Sequence, residues 1–304
     1  MTSVSTAAFF ERSMRSMAEL RARAESLQGA IGSGQRLARG SDDPVAAAQL
    51  RGLARAERFS GADADAAARG QADLALTDSA LGDFAAYVTR VKELAIQAAN
   101  ATLTPAQRAG IGVEIAQVQG ELLRLANSRD SAGHALFGGE TAGPAYVLDA
   151  SGRPSYAGTA SAGELPLGDG QSVTRGLTGP EFLHFTGPAG PTDLFTLVRD
   201  LGAALQGGSP DPAGAARDAL GLLDQGLEAI TTAQTVVGSR MNWIELVSER
   251  RTQRGEQRED QQSAIGGADP AEMLSALKQT MAVLEASQAS FVRLSGLSLF
   301  AMLR

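Results

Sequence analysis

FERSMRSMAELRARAESLQGAIGSGQRLA, residues 10–38, decides how the rest of the chain is read. Apolar or small side chains fall at Phe10, Ser13, Met17, Leu20, Ala24, Leu27, Ile31, Gly34 and Ala38. The gaps alternate three and four, the spacing of a coiled-coil seam. Near the other terminus Leu274, Leu277, Met281, Leu284 and Phe291 follow nearly the same rule, with Gln288 as a polar break. Neither helix can bury its stripe alone. Two such stripes at opposite ends of a chain point to termini that pair with each other or with neighbouring copies. That is the design of an assembly subunit rather than of an enzyme.

Composition supports the same reading. The 304 residues suffice for two or three domains, yet aromatics make up only 5%, with one Trp and three Tyr. The core must therefore be built from Ala, Leu, Ile and Val, as in long helix pairs. Net charge is −7 and no block of Lys and Arg tracks along one face, so no nucleic-acid footprint is expected. Cysteine is absent, which removes disulfides, thiol chemistry and Cys-based metal sites together. Residues 1–12 lack a basic region followed by an apolar run, so no cleaved secretory signal is expected. No run of about 18 apolar residues exists, so no membrane insertion is expected either.

Asp-Pro breaks organise the interior. Asp42, Asp43 and Pro44 end the first helix and start a second, with Asp43 as N-cap and Pro44 at the first helical position. This alanine-rich helix runs from Val45 towards Ala68. A further segment has a seam at Leu81, Phe84, Val88, Val91, Ala95 and Ala98. Thr104-Pro105-Ala106-Gln107 reads as a capping box opening the next seam, Ile111, Ile115, Val118, Leu122 and Leu125. These two heptad-patterned stretches form an antiparallel hairpin. From Gly133 to Pro191 the helical period vanishes. Residues 145–148 and 154–156 flank an Asp149-Ala150-Ser151-Gly152 turn as a β-hairpin, and Pro166 to Leu177 adds short strands. This β-rich insertion is about 60 residues, roughly the smallest size that folds on its own.

Helix returns at Asp193, which caps Leu194, Leu197, Val198, Leu201 and Leu205. A long seam follows at Leu220, Leu223, Leu227, Ile230, Val237, Met241 and Ile244, with Trp243 assigned to core packing ahead of a role as an interface anchor. The mixed charges of Glu249 to Asp260 read as a solvated continuation. Asp269 caps the last helix with Pro270 at its first position, mirroring the break at Asp43. The fold class expected is mainly α: an elongated helical rod with paired terminal coiled-coil helices and a small β-rich insertion. Residues 1–43 with 266–304 form a terminal assembly domain, 44–135 with 193–265 a helical rod, and 136–192 the insertion.

Catalytic chemistry finds no foothold. His134 and His184 have no metal-spaced partner, so neither a zinc site nor a His-based triad can be built from them. Gly32-Ser33-Gly34 and Gly138-Gly139 do not fit a phosphate loop. Asp42 and Asp43 are better explained as caps than as an acid–base pair. No enzyme activity, metal or cofactor is expected. Leu297, Leu299, Phe300 and Leu303 crowd the last eight residues and would form an exposed apolar patch on an isolated chain.

Leu37 to Ala48, LARGSDDPVAAA, is the sharpest of several segments that resemble the flagellin superfamily. The S-D-D-P-V-A-A-A form resembles the branch that joins hook to filament, where filament flagellins more often show D-D-A-A-G. Val91 to Asn100, VKELAIQAAN, is similar to a segment both branches share. Leu136-Phe137-Gly138-Gly139 and Leu297-Ser298-Leu299-Phe300 resemble the junction branch, while Met302-Leu303-Arg304 resembles the ending of filament flagellins. The resemblance implies a structural subunit outside the cell, in the bacterial flagellum, exported unfolded by the type III route without a cleaved signal. It implies a ring or helical self-assembly, a neighbouring hook-associated protein on one side, flagellin or a second junction protein on the other, and a cytoplasmic export chaperone. Terminal helices would order on assembly. The assembly residues expected are Leu20, Leu27, Ile31, Leu277, Leu284, Phe291, Leu294, Leu297 and Phe300, with Asp42, Asp43, Pro44, Asp269 and Pro270 setting the bend. A filament flagellin is the alternative, and a soluble coiled-coil adaptor a remote one.

Overall fold

The computed structural model describes all residues except 1, 38, 151, 189, 303 and 304, without the side chains of 2–7 and 295–302. Long helices dominate: α1 (Thr2–Ser33), α2 (Pro44–Ala98), α3 (Pro105–Ala126), α6 (Pro212–Gly266) and α7 (Pro270–Met302). Between α3 and α6 lie β1 (Tyr146–Leu148), β2 (Pro154–Tyr156), β3 (Glu164–Gly168), β4 (Gln171–Thr174), α4 (Gly179–Leu183), β5 (His184–Gly187), β6 (Gly190–Asp193) and α5 (Leu194–Ala203). The strands form three antiparallel hairpins, β1–β2, β3–β4 and β5–β6. The chain divides into two compact units, Met1–Phe59 with Gln253–Arg304, and Ser60–Thr252. The division falls inside α2 and α6, deeper into each helix than the Asp-Pro breaks.

The caps form as the local sequence dictates. Thr104 and Gln107 close a reciprocal box at the start of α3, the Gln107 N–H donating to Thr104 Oγ1 at 3.3 Å and the Thr104 N–H to Gln107 Oε1 at 2.9 Å. Asp193 Oδ1 accepts from the Thr196 N–H at 2.9 Å and opens α5. The segments expected as separate helices around Ala68 and Leu81 are one 55-residue helix, α2. No proline or cap interrupts residues 69–80, so a gap in the seam does not break the backbone. The β5–β6 hairpin and the short α4 went unrecognised, because dense Gly and Pro leave strands of four residues without visible alternation.

The second unit holds nearly all of the core. Phe84 of α2 meets Phe137 and Phe182 with ring centroids 5.9 and 5.2 Å apart, and all three rings are fully buried. Each such side chain removed from water contributes roughly 1.5–3 kcal/mol. Leu81, Val88 and Val91 continue this line on α2, Ile115 and Leu122 on α3, and Leu223, Ile230, Val237 and Ile244 on α6. Tyr146, Leu165, Leu167 and Val173 from the hairpins join the same cluster. The insertion therefore shares one core with the helices instead of folding around its own. α3 and α5 approach closely at a glycine pair: a Cβ on Gly112 would lie 2.8 Å from the Gly202 carbonyl oxygen. Trp243, expected in the core, is 38% exposed. Its neighbour Ile244 takes the buried position, one helical step of about 100° away.

Candidate assembly surface

α1 and α7 pack against each other as an antiparallel pair within the first unit. Near one end Phe10 and Phe291 meet edge to face with centroids 5.3 Å apart. At the other end Gly34 adopts φ +70°, which favours glycine, and ends α1. The chain beyond it pairs with the α6–α7 connection: Gln35 and Gly267 form an antiparallel bridge, the Arg36 N–H donates to the Gly266 oxygen at 2.8 Å, and the Ala268 N–H donates to the Gly34 oxygen at 3.0 Å.

The bend residues converge here. Asp43 Oδ1 caps α2 through the Ala46 N–H at 3.0 Å, and Asp42 Oδ2 accepts from the Arg39 N–H at 2.7 Å. Asp269 Oδ1 accepts from the Ala271 N–H at 2.8 Å, with Pro270 opening α7. Arg36 ties the two breaks together. Its guanidinium donates to the Ile265 oxygen at 2.9 Å and pairs with Asp43 Oδ2 at 3.4 Å. The Ala46 hydrogen bond and the Arg36 charge hold the Asp43 carboxyl below the usual carboxylate range. Arg36 was not singled out from the sequence, where one arginine among many carries no distinguishing pattern.

The seam itself is half closed. Phe10, Ser13, Met17, Leu20, Ala24, Leu27 and Ile31 are each partly buried on α1, at the spacing read from the sequence. On α7 the inward line is Leu277, Thr280, Leu284 and Phe291, of which Leu277 and Thr280 are buried. Leu274 and Met281, expected in that seam, are instead 46% and 48% exposed. The heptad pattern offered two registers on α7, and the packed one takes Thr280 in place of Met281. Ala38 lies outside the described residues, as do the side chains of Leu297 and Phe300.

Exposed apolar side chains flank the seam on both sides. By the helical repeat Leu274, Met281 and Val292 share one flank of α7, and Val283 and Leu294 the other. On α1, Phe9 and Met14 are exposed as well. Among the described residues of this unit the buried apolar side chains are only Ala46, Ala47 and Leu277. A helix apolar over more than its seam is built to be covered by more than one partner. Elsewhere, no group of three or more His, Cys, Asp or Glu among the described residues is placed to hold a metal ion. No described helix is long and apolar enough to cross a membrane.

Such a pair, with exposed apolar flanks, has the form of a helical assembly subunit. Residues 4–142 match the bacterial flagellin N-terminal helical region. The likeness extends over the whole chain to flagellar hook-associated protein 3. The Escherichia coli K12 protein of that name is 25% identical over 312 residues, spanning 97% of this chain and 98% of that one. The Salmonella typhimurium protein is 25% identical over 317 residues, spanning 99% of each. The crystal structure of flagellar hook associated protein-3 from Legionella pneumophila shares the fold, with a TM-score of 0.64 at 14% identity over 71% of this chain and 98% of that one. The chain thus resembles the flagellin superfamily and, within it, hook-associated protein 3, in agreement with the S-D-D-P-V-A-A-A segment at Ser41 to Ala48.

Proposed function

We propose that this chain is a structural subunit of the bacterial flagellum that joins hook to filament and assembles through its terminal helices. The observation that carries this reading is the terminal pair, whose seam is half closed and whose flanks are apolar. Neighbouring subunits would complete its burial, so ordering of the ends is coupled to assembly and premature polymerisation is restrained. Full-length likeness to hook-associated protein 3 supports the junction over the filament.

On this reading residues 1–43 and 266–304 are the assembly domain, 44–135 and 193–265 the rod, and 136–192 the surface insertion. Leu20, Leu27, Ile31, Leu277, Leu284 and Phe291 hold the pair together, while Leu294, Leu297 and Phe300 meet neighbours. The subunit leaves the cell by type III export, with a chaperone holding its C-terminal segment, and its role is structural rather than catalytic. It contacts a hook-associated protein on one side and flagellin or a second junction protein on the other.

Deletion of residues 295–304 tests the reading. The truncated chain should remain helical and keep its core, yet fail to enter flagella. Normal incorporation of that truncation would contradict the assignment of the tail to the interface.

A further inference from the structure

In the first unit α2 stacks three arginines on one face with no acid among them. Arg51, Arg55 and Arg58 follow at gaps of four and three, and all three are exposed. Every position three or four residues from any of them is Ala, Gly, Phe or another Arg. Like charges at these spacings destabilise a helix. None of the three makes an ion pair among the described residues. Other arginines are neutralised in place: Arg15 by Glu11, Arg90 by Glu93 and Glu114, and Arg124 by Glu121. The nearby acids are engaged elsewhere. Glu57 accepts from Arg258 of α6 at 2.9 Å, Asp43 pairs with Arg36, and Asp42 accepts from the Arg39 N–H. The next acids on α2, Asp63 and Asp65, come more than a turn beyond Arg58. Phe59 edges the same ridge, 59% exposed, with the Arg55 guanidinium 5.5 Å from its ring centroid.

We propose that this ridge docks an acidic helix of a neighbouring subunit of a different kind, with carboxylates at gaps of three and four facing Arg51, Arg55 and Arg58. A guanidinium fork pairs a carboxylate through two parallel N–H bonds, and the mutual repulsion of the three is relieved only when acids cover them. Phe59 supplies an apolar contact at the rim, and its stacking on Arg55 holds that guanidinium in place. A second copy does not fit, because no helix of this chain carries Asp or Glu at i, i+4 and i+7 or at i, i+3 and i+7. A nucleic acid or an anionic membrane fits poorly too. The three arginines span only about 10 Å at 1.5 Å per residue, and the chain as a whole carries a net charge of −7. A local rule broken with no compensation inside the fold is the mark of a functional surface. The proposal rests on the assembly reading above and names the chemistry of one partner that reading requires.

Arg51→Gln, Arg55→Gln and Arg58→Gln, made together in the full chain, separate a docking ridge from a solvated one. The triple variant loses the like-charge repulsion, so its thermal midpoint should equal or exceed that of wild type. Its amount in isolated flagella should nevertheless fall at least about tenfold. Equal amounts of variant and wild type in flagella would overturn the ridge and leave the junction reading standing. A second measurement keeps the charges in place. Phe59→benzoylphenylalanine, irradiated in isolated flagella, should join a peptide of another protein that carries Asp or Glu at gaps of three and four. An adduct with this chain, an adduct with a peptide lacking those acids, or no adduct would each overturn the proposal. Absence of the wild-type chain from flagella would sink the junction reading instead. Purified full-length chains then decide the ridge by their binding to poly-L-glutamate and to phosphatidylglycerol vesicles. Wild type should bind poly-L-glutamate about tenfold more tightly than the triple variant. Equal binding by the two, or binding to vesicles alone, would overturn the proposal.

Discussion

Phe10 and Phe291 sit near opposite ends of the chain, yet their rings meet edge to face at 5.3 Å. This contact closes one end of the α1–α7 pair, and it is only half-buried. An aromatic pair of this geometry contributes about 0.5–1.5 kcal/mol beyond its area. Replacing either ring by alanine should raise amide exchange along α1 and α7 and leave the exchange of Ile115, Leu122 and Ile230 unchanged. Limited proteolysis of the same variants should trim both ends first. A drop in protection across the second unit would show that the terminal pair supports the core, contrary to this account.

Leu277 and Leu294 separate pairing from assembly. Leu277 is buried in the seam, whereas Leu294 stands on an exposed flank of α7. Leu277→Ala removes packing that typically carries about 2 kcal/mol or more and should lower the helicity of the free chain. Leu294→Glu should leave helicity intact and abolish incorporation into flagella. Circular dichroism with a motility assay distinguishes them, and full motility of Leu294→Glu would argue that this flank stays in solvent.

Tyr146 offers a pH-dependent test in the core. Its ring is buried against Tyr156 and Phe195, and its hydroxyl has no hydrogen-bond partner. Burial, with a smaller contribution from Tyr156, raises the hydroxyl above the ordinary tyrosine value. The unfolded chain then loses this proton first, so stability is full below about pH 10 and declines as pH rises through the window above it. Tyr146→Phe should be neutral or stabilising by up to about 1 kcal/mol at pH 7, because it removes an unpaired buried polar group. It should also flatten the alkaline decline. Denaturant melts at pH 7 and pH 11 read both effects, and clear destabilisation at pH 7 would reveal a partner for the hydroxyl.

The Arg36–Asp43 pair governs the two helix breaks. The Asp43 carboxyl is held below the usual range, so its contribution is present above the ordinary aspartate value and is lost as pH falls through the depressed one. Acidification should loosen the start of α2. Asp43→Asn keeps a capping oxygen, so its cap should persist without that pH dependence. Arg36→Ala removes the guanidinium bond to the Ile265 oxygen as well and should speed exchange in the last turn of α6. Identical exchange in wild type and Arg36→Ala would mean that the backbone bridge at Gln35 and Gly267 suffices.

The α1 seam was legible from Phe10 to Ile31 because its apolar positions repeat with little excess, but Gly34, read as its next position, ends the helix well before the expected break at Asp42-Asp43-Pro44. On α7 Leu277, Leu284 and Phe291 were legible but Leu274 and Met281 were misplaced, since Val283, Val292 and Leu294 add apolar positions beyond one stripe and periodicity cannot rank two registers. That same excess is the feature pointing to additional partners. Asp43, Thr104, Asp193 and Asp269 announced their helix starts through local chemistry alone. Trp243 and Arg36 were misjudged or missed because their roles depend on tertiary placement. A large aromatic one position from the seam reads as core until the helix is oriented, and a guanidinium reaching a distant carbonyl leaves no trace in spacing.

Immunogold electron microscopy of intact flagella, with an antibody to residues 141–191, tests the central claim most directly. Label confined to the boundary between hook and filament is the predicted result. Label along the whole filament would make the chain a flagellin, and absence of label from flagella would contradict the account.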